Sequence, residues 1–525
     1  MPFPWWLLKT KKTTFGLALV VTLLVAVFRK INRPPSHLRH LPYISFYTFF
    51  KAIIKDITID RFSKDIVLPV MKRSPGAFVC STVGYWGIML TDPIAIKQFL
   101  MKPDMFPKAE INQGQPGTLI HRFVGGANIV MLNGTDWKRH RKVAHSYTFK
   151  VRHMKLTLRH SSVPQIVNPA FNRAMPIRLF GELTQQLFQA MDCTSSVDVL
   201  DVVTRMTLDT IGRAGFGFDF NSLADPANEW VTVYNDVKAA LMDPFFLVCP
   251  VFDTTLVNWF PKRAQKHQQM TRFLAMLDTI IEAKRHHLET VEEEENRDLL
   301  TLMIESEQEG QATLTNEELR KNLCIFFFAG QDTTAFTLSF MIYELAVNQA
   351  LQDRARQEAI EILGDASSDV LPSAEQTKQM TYINAVIKET MRLHNPVLNT
   401  TAREGQVYIP KGALVCADMS DLHRNPLVWH DPYRFDPERF LPGGEAERQP
   451  AGSGWTWAPF SNGGRICVGM NFSLAEQRVV LSMLLRKYTW TLPKDSIHRD
   501  GLVTNGLAFG IISTSNLKVD FKPRY

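Results

Sequence analysis

The sequence has little cysteine, and none of it is clustered. Its 525 residues include six cysteines with no C-x-x-C pair among them, namely Cys80, Cys193, Cys249, Cys324, Cys416 and Cys467. This spacing excludes a disulfide framework and a zinc cluster of the usual kind, and it favours a reducing compartment. The chain also has no internal repeat and no G-x-G-x-x-G after a predicted strand, so we expect no dinucleotide-binding domain.

Charge is neither scarce nor concentrated. The net charge is +7 and the pI is about 9.0, but the basic residues are dispersed, and only the stretch from Lys138 to Lys142 is dense. A dispersed positive charge is not typical of a nucleic-acid-binding protein, so we expect no nucleic-acid partner. With 45% hydrophobic residues, the chain has enough apolar material for a large core.

The N-terminus carries the one long uncharged apolar run near a chain end. Residues 13–28 would form a helix of about 24 Å, slightly short of a hydrocarbon core of about 30 Å. Lysines and arginines flank the run on both sides, which suits an anchor but leaves its orientation open. A cleaved signal peptide is the alternative, although no small-residue cleavage site follows Phe28. We predict a membrane anchor at 1–30, a proline-containing hinge at 31–44 and a single domain at 45–525.

The body of the chain reads as mainly helical with a few short strands. Strand-rich stretches are expected from Ala77 to Leu90, from Val407 to Cys416 and near the C-terminus. Thr315 and Glu318 form a capping-box pattern, and the apolar pattern then runs to about Val347. A helix this long and this apolar is expected to cross the interior of a large domain.

A glycine-rich loop around Cys467 is the strongest chemical signal. It reads F-S-N-G-G-R-I-C-V-G over residues 460–469 and is followed by a helical pattern from Met470. A thiolate just before a helix is favoured by free backbone N–H groups and by the helix dipole. The glycines allow these N–H groups to approach the sulfur, and such hydrogen bonds tune a thiolate-ligated haem iron.

This loop resembles the haem-binding signature of the cytochrome P450 family, F-x-x-G-x-R-x-C-x-G, at every defining position. Two further motifs resemble those of the family in the same order: an E-x-x-R at residues 389–392 and a P-E-R-F at residues 437–440. The resemblance implies one large, mainly α domain with small β-sheets. It places haem b between the long central helix and the helix that follows the cysteine loop.

The resemblance also implies roles for individual residues. Cys467 would be the axial ligand of the iron, within a loop bounded by Phe460 and Gly469. The haem propionates would be bound by Trp137, Arg141, Arg465 and Arg403, whose indole and guanidinium groups are donors suited to carboxylates. A buried ion-pair network that supports the loop would consist of Glu389, Arg392 and Arg439.

The long helix contains a segment that is unusual for a helix interior, A-G-Q-D-T-T at residues 329–334. It resembles the family's oxygen-activation motif, so Thr333 would donate a hydrogen bond to bound oxygen and Asp332 would admit protons from solvent. Without Cys467, a simple kink with two satisfied hydroxyls would explain the segment equally well.

The resemblance implies a monooxygenase that inserts one oxygen atom from O₂ into a lipophilic substrate such as a steroid, terpenoid, fatty acid, polyketide or xenobiotic. Electrons would come from NADPH through the flavins of a separate NADPH–cytochrome P450 reductase, with cytochrome b5 as an optional second donor. The expected substrate pocket consists of Ile325, Phe328, Ala329, Val397, Leu398, Asn399, Leu507 and Phe509. The anchor resembles that of endoplasmic-reticulum members, particularly fungal ones, which cross the membrane once and face the cytosol.

Two other functions stay open at this point. A reductase-independent hydroperoxide isomerase or dehydratase of the same fold would usually depart from the Asp332–Thr333 pair, and NADPH dependence separates it from a monooxygenase. A non-catalytic haem-binding membrane protein explains the anchor and Cys467 but not that pair, and it predicts no turnover with any reductase.

Overall fold

A computed structural model describes residues 19, 21–55, 57–73, 76–82, 85–108, 115–145, 175–192, 196–241, 243–290, 298–308, 314–403, 413–449, 453–505 and 510–525. Within these residues the chain is mainly helical. The helices are α1 (Phe46–Ile54), α2 (Ile59–Arg61), α3 (Leu68–Met71), α4 (Pro93–Met101), α5 (Leu119–Val124), α6 (Gly134–His145), α7 (Ile177–Met191), α8 (Val199–Ile211), α9 (Glu229–Leu241), α10 (Pro244–Val248), α11 (Pro261–Thr290), α12 (Leu299–Gln308), α13 (Asn316–Val347), α14 (Gln349–Leu363), α15 (Ala374–Gln379), α16 (Thr381–Leu393), α17 (Met419–His423), α18 (Ser453–Thr456) and α19 (Met470–Lys487).

The strands form small sheets, as expected. A five-stranded sheet has the order β1-β2-β3-β6-β5, a three-stranded sheet the order β4-β10-β7, and β8 pairs with β9. The strands are β1 (Tyr43–Ile44), β2 (Ala77–Thr82), β3 (Tyr85–Leu90), β4 (Val197–Asp198), β5 (Asn399–Arg403), β6 (Leu414–Asp418), β7 (Tyr488–Thr491), β8 (Thr504–Asn505), β9 (Ser513–Thr514) and β10 (Lys518–Pro523). The strand-rich stretch predicted at Ala77 to Leu90 is therefore a hairpin of β2 and β3.

The long helix α13 crosses the interior. Thr315 accepts a hydrogen bond from the backbone N–H of Glu318, and the Glu318 carboxylate accepts one from the N–H of Thr315, so the predicted capping box is present. One apolar core contains the first half of α13 with α8, α9 and α11, and a second contains its other half with α7, α16 and α19. Because α13 belongs to both cores, it joins the two halves of the domain.

Among the described helices, α13 is the one long and apolar enough to cross a membrane, and 78% of that stretch is buried inside the protein. Its apolar character is thus explained by the core of the domain. The predicted anchor at 1–30 lies largely outside the described residues, which begin with 19 and 21. Residues 21–32 are helical, and their apolar side chains, such as Leu23, Leu24 and Phe28, are exposed.

Candidate haem site

The cysteine loop is a tight turn that ends at the start of α19. The backbone N–H of Cys467 donates to the carbonyl of Phe460 at 2.9 Å, and that of Ile466 donates to Gly463 at 3.2 Å. Gly463 has a φ of 67°, and a Cβ there would lie 2.5 Å from the carbonyl oxygen of Leu100. Only glycine fits this position without displacing the backbone of the neighbouring segment.

Cys467 lies just before the start of α19. Its side chain is accessible, yet enough protein surrounds it that burial raises its pKa, while a hydrogen bond from the Gly469 backbone and the charge of Arg141 act in the opposite direction. Both properties hold for a side chain that protein surrounds but does not cover. Because burial dominates, the thiolate that the sequence predicts needs a metal ion to hold it deprotonated.

A short stretch of α13 is also accessible. Ala329 is exposed, and Phe328, Gly330 and Thr333 are half-buried, although most of the helix is buried. The Thr333 hydroxyl donates to the carbonyl of Ala329 at 2.7 Å, the bond to the preceding turn that such a threonine is expected to make. Most of this accessible stretch therefore belongs to the predicted oxygen-activation segment at residues 329–334.

Two contacts explain how this segment is positioned. A Cβ on Gly330 would lie 3.0 Å from the side chain of Ile211, so the glycine lets α8 approach α13 closely. The Thr334 hydroxyl lies 2.9 Å from the Ser473 hydroxyl, which joins α13 to the first turn of α19. The accessible face of α13 and the cysteine loop are thereby brought to the crossing of these two helices.

Asp332 is buried, although its neighbours Ala329 and Thr333 are accessible. Its carboxylate is buried, and its Oδ1 lies 2.5 Å from the ammonium of Lys238 on α9. Burial raises the pKa of Asp332, and the Lys238 charge only partly offsets this. The Lys238 side chain is 29% exposed, so it connects the buried carboxylate to the surface. Sequence reasoning missed Lys238, because no motif links a residue of α9 to the long helix.

Arginine side chains lie beside the cysteine loop. The Arg141 guanidinium donates to the carbonyl of Ile466 at 2.8 Å, and that of Arg465 lies 4.0 Å from the centre of the Trp137 ring. Burial lowers the pKa of each arginine to about 10, and neither forms an ion pair with a described carboxylate. The buried Nη1 of Arg465 has no hydrogen-bond partner in the described structure. Buried cations require anions, so these residues fit the two carboxylates of haem b.

The helix that carries Trp137 and Arg141 is attached to the start of α13. Arg139 forms a close ion pair with Glu318, which holds the pKa of that carboxyl at about 2. His140 is buried and lies 2.9 Å from the Asn322 amide. These contacts attach α6 to the start of α13, and the first of them places the partly exposed guanidinium of Arg139 in an ion pair.

The predicted support network is buried and connected. Arg392 bonds Glu389 at 2.7 and 2.9 Å, and the Nε of Arg439 lies 3.4 Å from the same carboxylate. Burial raises the pKa of Glu389, and the two arginines act against this rise. Arg439 also forms a close ion pair with Glu445, a member that sequence reasoning did not identify.

This network contacts the chain that leads into the cysteine loop. Arg392 donates to the carbonyl of His423 at 2.6 Å, and the His423 ring accepts the N–H of Ala458 at 3.0 Å. The Trp457 indole donates to the carbonyl of Lys388, next to Glu389, at 2.9 Å. The segment just before Phe460 is thus anchored to α16.

The predicted pocket residues fall into different environments. Phe328 and Ala329 lie on the accessible face, whereas Ile325 is buried in the core. The segment from Val397 to Asn399 lies beside residues 510–511 through a bridge between Val397 and Ile511 and a 2.8 Å hydrogen bond from the Leu398 N–H to Gly510. Leu507 and Phe509 lie outside the described residues. Asn399 and Arg403 begin and end β5, and their side chains are not described.

Comparisons with known proteins agree with this architecture. The chain matches the family description "Cytochrome P450" over residues 70–513. It is 30% identical to "Cytochrome P450 6a9" of Drosophila melanogaster over 391 residues, covering 69% of this chain and 70% of that protein. It is 26% identical to human "Cytochrome P450 4F3", covering 79% and 78%. The solved structure "Crystal structure of cytochrome P450DA heme domain" matches 90% of this chain and 94% of that chain with a TM-score of 0.68 and 22% identity. The chain therefore belongs to the cytochrome P450 family of haem-thiolate monooxygenases.

Proposed function

We propose that Cys467 is the axial ligand of the haem and that the chain oxidises a small lipophilic molecule with electrons from NADPH. Haem bound through a thiolate supplies the activation of dioxygen for insertion into C–H bonds. The observation that carries the proposal is the contact between Thr334 and Ser473, which joins the accessible stretch of α13 to the helix that follows Cys467. Arg141 and Arg465 lie beside the same loop and form no ion pair among the described residues. Trp137 and Arg403 complete the proposed propionate site.

We assign Thr333 and Asp332 different roles in proton transfer. Thr333 holds a hydroxyl on the accessible face of α13. This hydroxyl donates to the carbonyl of Ala329, and rotation of the side chain would let it donate to an oxygen bound at the site instead. Asp332 is buried beside Lys238, and burial raises its pKa while the Lys238 charge acts against this rise, so we assign this carboxyl to proton uptake. Lys238 reaches from this carboxylate to the surface and keeps it within reach of solvent protons.

A lipophilic substrate suits the accessible residues. Phe328 and Ala329 present apolar surface on the part of α13 that contacts α19, and we assign Val397, in the segment after α16, to the same pocket. Apolar walls with few polar groups bind ligands such as a steroid, terpenoid, fatty acid, polyketide or aromatic xenobiotic. Ile325, one turn before Ala329 on α13, is buried in the core.

The proposed electron donor is a separate NADPH–cytochrome P450 reductase, with cytochrome b5 as a further partner. Of the basic residues in α6, Lys138 is exposed, while Arg139 is engaged by Glu318. Lys138 is therefore the described residue of this helix that is free to attract an acidic partner surface.

Residues 1–30 are proposed to anchor the protein in the endoplasmic-reticulum membrane as a single span, with 31–44 as a hinge and 45–525 as the cytosolic domain. Leu23, Leu24 and Phe28 expose apolar side chains that are unfavourable in water. The amide of Asn133, which lies in a glycosylation sequon, makes internal hydrogen bonds, and these are incompatible with a glycan on that side chain.

The test combines a binding assay with a turnover assay. Lipophilic compounds are screened for the shift of the ferric Soret band that accompanies binding, and each compound that binds is incubated with NADPH, reductase and either the wild type or a Thr333→Ala variant. We expect oxygenated product from the wild type, and from the variant equal binding but much less product per NADPH. Product formation without NADPH, or equal yields from both proteins, contradicts the proposal.

A further inference from the structure

A surface pocket lies between the start of α9 and the second half of α11. Its volume is about 490 Å³, within the range of roughly 300–1,000 Å³ that is typical of small-molecule sites. The segment that follows α8 closes one side of it. The apolar side chains of its lining are Phe216, Phe218, Trp230, Met276, Ile280 and Ala283.

Two aromatic rings form a corner of this pocket. The ring centres of Phe218 and Trp230 lie 5.3 Å apart, and the ring planes meet at 58°. Both side chains are half-buried, so each ring leaves part of its surface uncovered beside Met276 and Ile280. A further aromatic ring that packs in such a corner gains roughly 0.5–1.5 kcal/mol for each ring contact beyond the burial of its area.

An ion pair lies under the floor of the pocket. The Lys284 ammonium is 2.6 Å from the Asp298 carboxylate, and both side chains are buried. Gly217 lies against this pair with a φ of 63°, and a Cβ there would lie 2.5 Å from the Lys284 Nζ. Because a side chain at this position would displace the ion pair or fill the space above it, glycine keeps the pocket open.

The charged groups of the lining are neutralised within the protein. Lys284 is paired with Asp298, and the Glu229 carboxylate at the exposed edge lies 2.6 Å from the Arg272 guanidinium. The remaining titratable residue of the lining is His287, which is exposed. Aromatic walls with balanced charges favour a neutral ligand over an ion, because an ion would leave water without gaining a partner of opposite charge.

Buried aromatic rings lie between this pocket and α13. The ring centre of Trp230 is 6.5 Å from that of Phe273, which is 5.4 Å from that of Phe327 on α13. Phe273 and Phe327 are completely buried, and none of the accessible residues that the structure describes on α13 lines the pocket. We propose that this pocket is a second small-molecule site, separate from the haem site, which binds a neutral aromatic compound between Phe218, Trp230 and α11.

The test measures binding of the neutral aromatic probe 2-naphthol to the purified holoprotein by equilibrium dialysis. The ferric Soret band is recorded in parallel, since it shifts only for molecules that bind beside the haem. Ala283→Trp fills the pocket from an exposed position of its lining, and Ala350→Trp changes an exposed alanine of α14 as the control. We expect the wild type and Ala350→Trp to bind one molecule that leaves the Soret band unchanged, and Ala283→Trp to lose this molecule.

Two further measurements test the aromatic corner and the neutral class of the ligand. Phe218→Ala should weaken binding of the molecule that leaves the Soret band unchanged by about fivefold, because it removes one ring contact. The anion 2-naphthoate has the same rings and should bind there about tenfold more weakly than 2-naphthol. The inference is overturned if the wild type binds no such molecule or if Ala283→Trp binds it equally well. Binding of 2-naphthoate that is as tight as that of 2-naphthol overturns the neutral class.

Discussion

Glu476 gives the protein a pH dependence that can be worked out from the structure. This residue of α19 is 1% exposed, and its Oε1 is buried without a hydrogen-bond partner among the described residues. Burial raises its pKa from 4.5 to about 8. Its partner Thr210 donates its own hydroxyl proton to the carbonyl of Met206 at 2.9 Å, so it offers only lone pairs to Glu476, and these suit a protonated carboxyl.

Whether stability rises or falls with pH depends on whether the folded or the unfolded chain holds the proton of Glu476. Between pH 4.5 and about pH 8 the folded protein keeps Glu476 protonated while the unfolded chain has lost that proton. The stability that the neutral carboxyl provides is therefore complete below pH 4.5 and is lost as the pH rises through about 8. The full difference between these pKa values corresponds to about 5 kcal/mol of unfolding free energy.

Replacing Glu476 by glutamine removes this dependence, because glutamine is neutral at every pH. We expect the stability of Glu476→Gln relative to the wild type to increase with pH by up to about 5 kcal/mol. The assay is urea unfolding of the holoprotein, followed by tryptophan fluorescence, at about pH 5, 7 and 9. The exposed Glu361 provides the control variant Glu361→Gln. A stability difference between Glu476→Gln and the wild type that is the same at every pH refutes the reasoning.

Two further substitutions test the contacts of the site. Glu389→Gln leaves the fully buried Arg392 without its charged partner, so the free energy of unfolding should fall by about 3 kcal/mol and the haem content should fall with it. The haem content is measured as the Soret absorbance per protein. The control Glu438→Gln changes an exposed ion pair and should leave that absorbance unchanged. Lys238→Met removes the cation beside Asp332 and should raise the pKa of that carboxyl further, which moves the pH profile of product formation to higher pH. If the pH profile of product formation is unaltered in Lys238→Met, Asp332 does not take part in proton delivery.

The features that the sequence predicts correctly depend on residues that are close together in the chain. The capping box at Thr315, the length of α13 and the start of α19 at Met470 depend on neighbouring residues, and the structure confirms them. The same is true of the mainly helical fold with small sheets, because hydrophobic periodicity reports which face of each element is buried.

The parts that sequence reasoning missed depend on packing between distant segments. Lys238 meets Asp332 because α9 is brought beside α13, and Asn133 meets Arg465 although 332 residues separate them in the chain. No composition or spacing rule encodes such contacts. Conversely, Ile325 and Ala329 are both apolar and lie one turn apart on the same side of α13. The first is buried and the second is exposed, because the segments that pack against each turn differ, and hydropathy does not report that difference.

The absorption spectrum of the dithionite-reduced protein with carbon monoxide tests the central claim most directly. It should be recorded for the purified wild type and for a Cys467→Ser variant, with Cys249→Ser as a control at a half-buried free cysteine. We expect a strongly red-shifted Soret band in the wild type and in Cys249→Ser, and its loss in Cys467→Ser, because only a thiolate ligand produces that shift. An ordinary haem band in the wild type, or a red-shifted band that persists in Cys467→Ser, contradicts ligation by Cys467.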